Sequence, residues 1–253
     1  MDCFKDMPCN LKFAYALIAL LFVLTIFNLS KVEKATVPSV SDEAIKVWID
    51  KNPEAILESV NKYVAQQQEE MIREQREQAA ANIKNFDKEL KDTKYAGVLN
   101  PKGTVEIVEF YDYNCGYCKM VAKNIEKLLE TRKDAKVILR NIPILGQASR
   151  YAAEVGMAIL IDSPAKYPEF HKILMNGSAR SKEEVNKAVE SAGLKFSKIE
   201  EVLKKNKKEI DAAIQSNMDL ASKIGINGTP AFIINGELIP GAVDTQTLES
   251  LLK

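Results

Sequence analysis

The spacing of apolar positions divides this chain into stretches of distinct character. From Phe13 to Phe27 every residue is apolar, Tyr or Thr, with Lys5 and Lys12 before the run and Asn28 after it. Fifteen such residues suit a signal-peptide core or a short membrane anchor, and Asn28 and Leu29 extend the run to 17, the lower limit for a bilayer span. Small residues at the positions one and three before a cut are hard to find, since Ser30 is preceded by Asn28 and Ala35 by Glu33. Export with an uncleaved anchor is therefore expected. Lys31 and Lys34 balance Lys5 and Lys12, so charge sets no orientation.

After the linker residues Val37 to Val40, Ser41 followed by Asp42 and Glu43 predicts a helix start, with Ile45, Val47, Trp48 and Ile49 as its apolar positions. Asn52-Pro53-Glu54 predicts a second start, Asn52 as cap and Pro53 at the first helical position. No Gly or further Pro interrupts the chain from there to Leu90. A helix of that length would span about 55 Å and project as a stalk. Val60, Val64, Gln67 and Met71 follow coiled-coil spacing until Glu74 and Gln78 break it, and Leu57, Tyr63 and Ile72 widen the apolar face. A lone helix so polar in its second half is marginal in water, which predicts self-association through its N-terminal part.

Gly97, Asn100, Pro101 and Gly103 mark a domain boundary between Asp92 and Gly103. Beyond it, Thr104 to Tyr111 and Val137 to Ile142 read as strands. Ala231 to Ile234 and Glu237 to Ile239 read as a hairpin around Asn235-Gly236. A helix is expected from about Cys115, with Met120, Val121, Ile125, Leu128 and Leu129 on one face, and a last one over Thr245 to Leu252. Between Ala148 and Ser222 lie four or five helical stretches, punctuated by Pro164, Asn176-Gly177 and Gly193 and closed by Gly225.

Composition narrows the function. The 253 residues suit one to two domains, and 46% hydrophobic content excludes disorder as the main state. With 35 basic and 35 acidic residues the chain lacks the positive balance of a nucleic-acid binder, and Lys204, Lys205, Lys207 and Lys208 read as a solvated helix face. Four cysteines do not make a disulfide framework: Cys3 and Cys9 precede the apolar run, while Cys115 and Cys118 form a C-x-x-C. A C-x-x-C after a strand and opening a helix is a redox geometry, because N–H groups at a helix N-terminus favour the Cys115 thiolate and Cys118 can reach back to it. Zinc fails on ligand count, since His171 is the only histidine. His171 itself reads as a helix-packing residue. Glu109, in the strand before the motif, could accept a proton from Cys118 if it lies beneath the pair, although strand parity does not fix its face. Spacing alone gives no reason for a cis bond at Thr229-Pro230.

The order of strand, Cys115-Gly116-Tyr117-Cys118 helix, helical insertion, Gly228-Thr229-Pro230, hairpin and helix resembles the DsbA-like thioredoxin family of bacterial exported disulfide oxidoreductases. The resemblance covers about Lys102 to Lys253. It implies an α/β thioredoxin fold with a helical insertion at about 147–223, preceded by a helical stalk. The domains would be a signal or anchor segment over 1–36, a stalk over 37–97 and a catalytic domain over 98–253. Glu109 falls on the family's buried acid, Cys115 on the exposed nucleophile, Cys118 on the resolving cysteine and Pro230 on a cis-proline. Gly116, Tyr117, Thr229 and Pro230 would meet substrate, with no metal or cofactor.

Gly116-Tyr117 replaces the Pro-His of strongly oxidising members, and with Thr229 it resembles the active site of the dimeric isomerase DsbC. The N-terminal region resembles the trimerising stalk of ScsC-type isomerases. These likenesses imply a periplasmic disulfide isomerase or reductase, acting on misfolded exported proteins and reset by a DsbD-like membrane reductase. The chain would be a homo-oligomer through the stalk, a trimer ahead of a dimer. The alternatives are an oxidase served by a DsbB-like partner and a non-enzymatic stalked scaffold.

Overall fold

The computed structural model describes residues 17–26 and 40–252. Residues 13–16 and 27 of the expected anchor, Cys3, Cys9 and most of the linker lie outside them. The chain divides into two units, Met1–Gln67 and Gln68–Lys253.

In the first unit, residues 17–26 are helical (α1), yet no helix among the described residues is long and apolar enough to cross a membrane. Helix α2 (Asp42–Lys51) begins as its sequence predicts, with the Ser41 side chain accepting the Ala44 N–H at 3.2 Å. Asn52 does not cap the next helix with its side chain. It closes α2 instead, donating its Nδ2 to the Trp48 carbonyl at 2.7 Å, and Pro53 opens α3 (Pro53–Asn85).

The second unit starts in α3, well before the expected boundary near residue 97. Helix α3 stops at Asn85, and a short α4 (Asp87–Lys91) follows. Ile83, Leu90 and Ala96 are buried against Val108, Phe110 and Ile138, with Phe86 beside them. The second unit thus begins at Gln68, within the expected stalk, and residues 83–96 of that stretch pack on one face of its sheet. That cover meets a need of the central strand, whose last five residues are buried whichever way they point.

The sheet contains β1 (Gly97–Leu99), β2 (Val105–Tyr111), β3 (Ala135–Asn141), β4 (Ala231–Ile234) and β5 (Glu237–Pro240), in the order β1-β3-β2-β4-β5. Only β2 and β3 are parallel, joined through α5 (Gly116–Thr131); the other pairs are antiparallel. Between β3 and β4 come α6 (Gln147–Asp162), a 3-10 turn (Pro164–Lys166), α7 (Tyr167–Asn176), α8 (Lys182–Ser191), α9 (Phe196–Lys205) and α10 (Lys207–Lys223). This is the predicted helical insertion, and α11 (Thr245–Leu251) closes the chain. Asn235 and Gly236 take φ of 51° and 81°, as the Asn-Gly hairpin requires. Strand β1 was not predicted. At Gly97 an added Cβ would lie 1.9 Å from the Tyr167 ring, so only glycine lets this edge approach α7.

Ile107 and Tyr111 of β2 share one core with Val137, Leu139, Phe232 and residues of α5, α6 and α7. The opposite face is fastened by Arg140, which is buried in β3. It donates to the Leu90 carbonyl at 3.2 Å, to the Asp92 carbonyl at 2.7 Å, to Asn217 Oδ1 at 2.9 Å, and to the Glu89 carbonyl. Burial lowers its guanidinium to about 10, still charged at neutral pH. Arg140→Ala leaves the buried Leu90 carbonyl and Asn217 Oδ1 unpaired, and should cost about 3 kcal/mol in denaturant unfolding.

Candidate active site

The C-x-x-C is built where β2 ends and α5 begins. Cys115 is the N-cap of α5, and its Sγ accepts the Cys118 N–H at 3.4 Å. Cys115 retains 7% exposure and Cys118 none, so the expected exposed nucleophile is only grazed by solvent. Gly116 and Tyr117 project outward, Tyr117 at 67% exposure. Both cysteines are free thiols.

The segment before β4 meets this turn from the other side. The Thr229-Pro230 peptide is cis, and the Cys115 thiol donates to the Thr229 carbonyl at 3.3 Å. The structure therefore brings Cys115, Cys118, Thr229 and Pro230 together, although 114 residues separate Cys115 from Thr229.

Glu109 is set by β2 on the face of Ile107 and Tyr111, the face that carries the cysteine core. It is 1% exposed and its Oε1 has no hydrogen-bond partner. Burial pushes its carboxyl up to about 8. Burial likewise drives the Cys118 thiol well above the ordinary range, opposed by a backbone hydrogen bond from Asp112 and reinforced by Cys115 and Glu109. Both groups are therefore held in their uncharged forms by burial. Ionising either one disfavours ionising the other.

Several residues around the site were not anticipated. Asp112 is fully buried at the end of β2, and Asn114 donates its Nδ2 to Ser149 Oγ at 3.1 Å and to the Ala179 carbonyl at 3.0 Å. Lys119 caps the end of α7, donating to the Leu174 and Gly177 carbonyls at 3.1 and 2.6 Å, and burial lowers its amine below the ordinary value. Tyr111 and Tyr167 share a hydrogen bond of 2.5 Å beneath the site. His171 packs edge-on to Tyr111 with ring centres 4.9 Å apart, and burial lowers it to about 3, which agrees with a packing role. An aspartate three residues before Cys115 and tyrosines spaced by two were visible in the chain, but nothing in their spacing marked them as parts of a site.

Comparison with known proteins agrees with this geometry. Residues 106–253 match the family described as the DSBA-like thioredoxin domain. Disulfide bond formation protein D of Bacillus subtilis (strain 168) is 27% identical over 162 residues, covering 59% of this chain and 73% of that protein. Among solved structures, the thiol-disulfide exchange protein alpha-DsbA2 from Wolbachia pipientis is 30% identical with a TM-score of 0.64, over 69% of this chain and 94% of that one. The catalytic domain of Proteus mirabilis ScsC is 28% identical with a TM-score of 0.60, over 68% and 96%. With a C-x-x-C capping a helix, a cis peptide against it and a buried acid beneath, the chain belongs to the DSBA-like thioredoxin family of thiol-disulfide oxidoreductases.

Proposed function

We propose that this protein is an exported disulfide isomerase or reductase that works as an oligomer on misfolded clients in the periplasm. The Cys115 thiolate attacks one sulfur of a client disulfide, forming a Cys115–client bond and releasing the other client sulfur as a thiolate. In isomerisation a different client thiolate attacks the client sulfur bonded to Cys115, forming a new client disulfide and freeing Cys115 unchanged. In reduction Cys118 loses its proton to the ionised form of Glu109 and attacks Cys115 Sγ, expelling the client sulfur as a thiolate that takes a proton from water. The client leaves as a thiol and the protein is left with a Cys115–Cys118 disulfide, which a membrane thiol reductase of the DsbD-like kind resets.

The observation that carries this reading is the apolar stripe of the N-terminal helix. Leu57, Val60, Tyr63, Val64, Met71 and Ile72 are all exposed in the single chain, at spacings that suit packing between copies. Association would gather several Cys115 thiols around one client and raise their effective concentration. Gly116-Tyr117 adds to it, since no histidine stands between the cysteines to favour a strongly oxidising pair.

Likeness to a protein named for disulfide bond formation supports a second reading, an oxidase that passes its own disulfide to clients and is reset by a DsbB-like partner. Alkylation trapping in cells separates the two, with Cys115 and Cys118 expected to be mainly reduced. A fully oxidised pair overturns isomerisation and favours the oxidase. Light scattering of residues 37–253 should give a trimer or a dimer, and a monomer would remove the stalk from the argument.

A further inference from the structure

The seam between α5 and α7 opens into a cavity of about 370 Å³, within the size range of small-molecule sites. Its apolar wall comes from Leu99 of β1, from Ala122, Ile125 and Leu129 of α5, and from Met175 of α7. Ala122 stands one helical turn beyond Cys118, so the cavity follows the far part of the redox helix, away from the thiols.

The polar groups around this wall are mostly acceptors. Glu126, Glu130 and Glu169 bring three carboxylates, and Lys172 brings one ammonium. Lys172 is paired with Glu126, its Nζ 3.1 Å from Oε2, and Asn176 donates Nδ2 to Oε1 of the same carboxylate at 3.2 Å. Glu130 and Glu169 are exposed and make no ion pair among the described residues, so two negative charges stand uncompensated at the rim. Asn100 gives its Nδ2 to the Lys133 and Ala135 carbonyls at 2.8 and 2.6 Å, which leaves its amide oxygen as a further acceptor.

His171 is the one buried polar residue of the lining, 4% exposed, and its Nδ1 has no hydrogen-bond partner. A buried ring nitrogen left alone forfeits a hydrogen bond, and a ligand group that meets it restores the loss. The ring is held by its edge-on packing against Tyr111. Burial keeps the imidazole uncharged at neutral pH, so it does not repel a cation.

We propose that this cavity binds a small amphipathic cation: an ammonium or amidinium group set toward Glu130 and Glu169, an apolar body against Ile125, Leu129 and Met175, and a terminal hydroxyl or N–H at His171 Nδ1. A neutral ligand of the same shape gains only the wall and the imidazole, and an anion meets two like charges. Discrimination by charge is therefore the mark of the site. No thiol takes part, so the site is separate from exchange at Cys115.

His171 is the only histidine in the chain, which makes one imidazole resonance a reporter on the cavity. Full-length protein with carbon-13 in its histidine and no affinity tag is titrated with tyramine, with its neutral alcohol tyrosol, and with the anion hydroxyphenylpropionate. Tyramine should shift the resonance saturably, tyrosol should bind at least about fivefold more weakly, and the anion should leave the resonance in place. Replacing both rim carboxylates, Glu130→Gln with Glu169→Gln, should weaken tyramine by about fivefold and leave tyrosol unchanged. Absence of a saturable tyramine shift, equal affinity for tyramine and tyrosol, or full tyramine affinity in the doubly substituted protein overturns the proposal. Should that variant not fold, the comparison of the three ligands on the unaltered protein decides alone. Failure of disulfide exchange at Cys115 would leave all of these shifts as they are.

Discussion

A Cys118→Ala variant should accumulate client proteins joined to Cys115. Release of a client by reduction depends on a sulfur held one helical turn from Cys115, at the point where the Cys118 N–H already meets Cys115 Sγ. An intramolecular attack of that kind carries an effective concentration on the order of 10⁵ M or more, which no thiol in solution matches. Losing it should lengthen the life of each mixed disulfide by about a hundredfold or more. Non-reducing electrophoresis of the variant from cells should show high-mass adducts that collapse on reduction and are absent when Cys115 is also replaced. If adducts fail to form, the pair does not act on protein disulfides and the scaffold reading gains.

Glu109→Gln should change both stability and chemistry, with a pH signature that identifies the residue. Glu109 ionises near 4.5 in the unfolded chain and near 8 in the fold. Below pH 4.5 both states hold the proton, and this group leaves stability unchanged. As pH rises from 4.5 to 8, the unfolded chain releases a proton that the folded chain keeps, so stability falls by ~1.4 kcal/mol per unit and by about 4–5 kcal/mol in all. Above pH 8 the loss is complete and levels off. The variant lacks this slope, so its stability relative to the unaltered protein should climb by about 4 kcal/mol between pH 5 and pH 8, read from denaturant unfolding with the cysteines reduced. Meanwhile the step in which Cys118 releases the client should slow by about a hundredfold. In the unaltered protein that step should quicken up to pH 8 as Glu109 ionises, and the variant should lose the rise. Equal pH slopes for the two proteins would place the titration elsewhere.

Much of this architecture could be read before folding, and the parts that could not share a cause. The hairpin at Asn235-Gly236, the helix opening at Cys115 and the helical insertion follow from local chemistry: residues that accept positive φ, a cap, an apolar face. Strand β1 escapes because three residues are too few to show alternation, and Gly97 reads as a breaker until Tyr167 is seen against it. Ile83, Phe86 and Leu90 lie at helical spacing in a polar helix, but only the sheet's second face reveals what they are for. The side of β2 that bears Glu109 is unreadable for a related reason, because Val108, Glu109 and Phe110 are all buried and alternation has no polar half. Within the site, Cys115 and Cys118 stand out by spacing, and Glu109, Thr229 and Pro230 gain their assignments through family resemblance. Asp112 bonds the distant Leu145 N–H, and Asn114 bonds Ser149 and the Ala179 carbonyl, pairings that leave no mark on the chain.

The way α3 enters the second unit bears on how such a protein can vary. Asn82 is the earliest residue of the helix seen to bond across the second unit, donating Nδ2 to the Lys223 carbonyl at 2.8 Å, and Ile83 is the helix's one buried residue. Upstream of Asn82 the helix can gain or lose whole turns without disturbing the sheet or its cysteines. Reach is thereby separated from chemistry: in the proposed oligomer, the length of helix upstream of Asn82 can change while the catalytic unit stays the same.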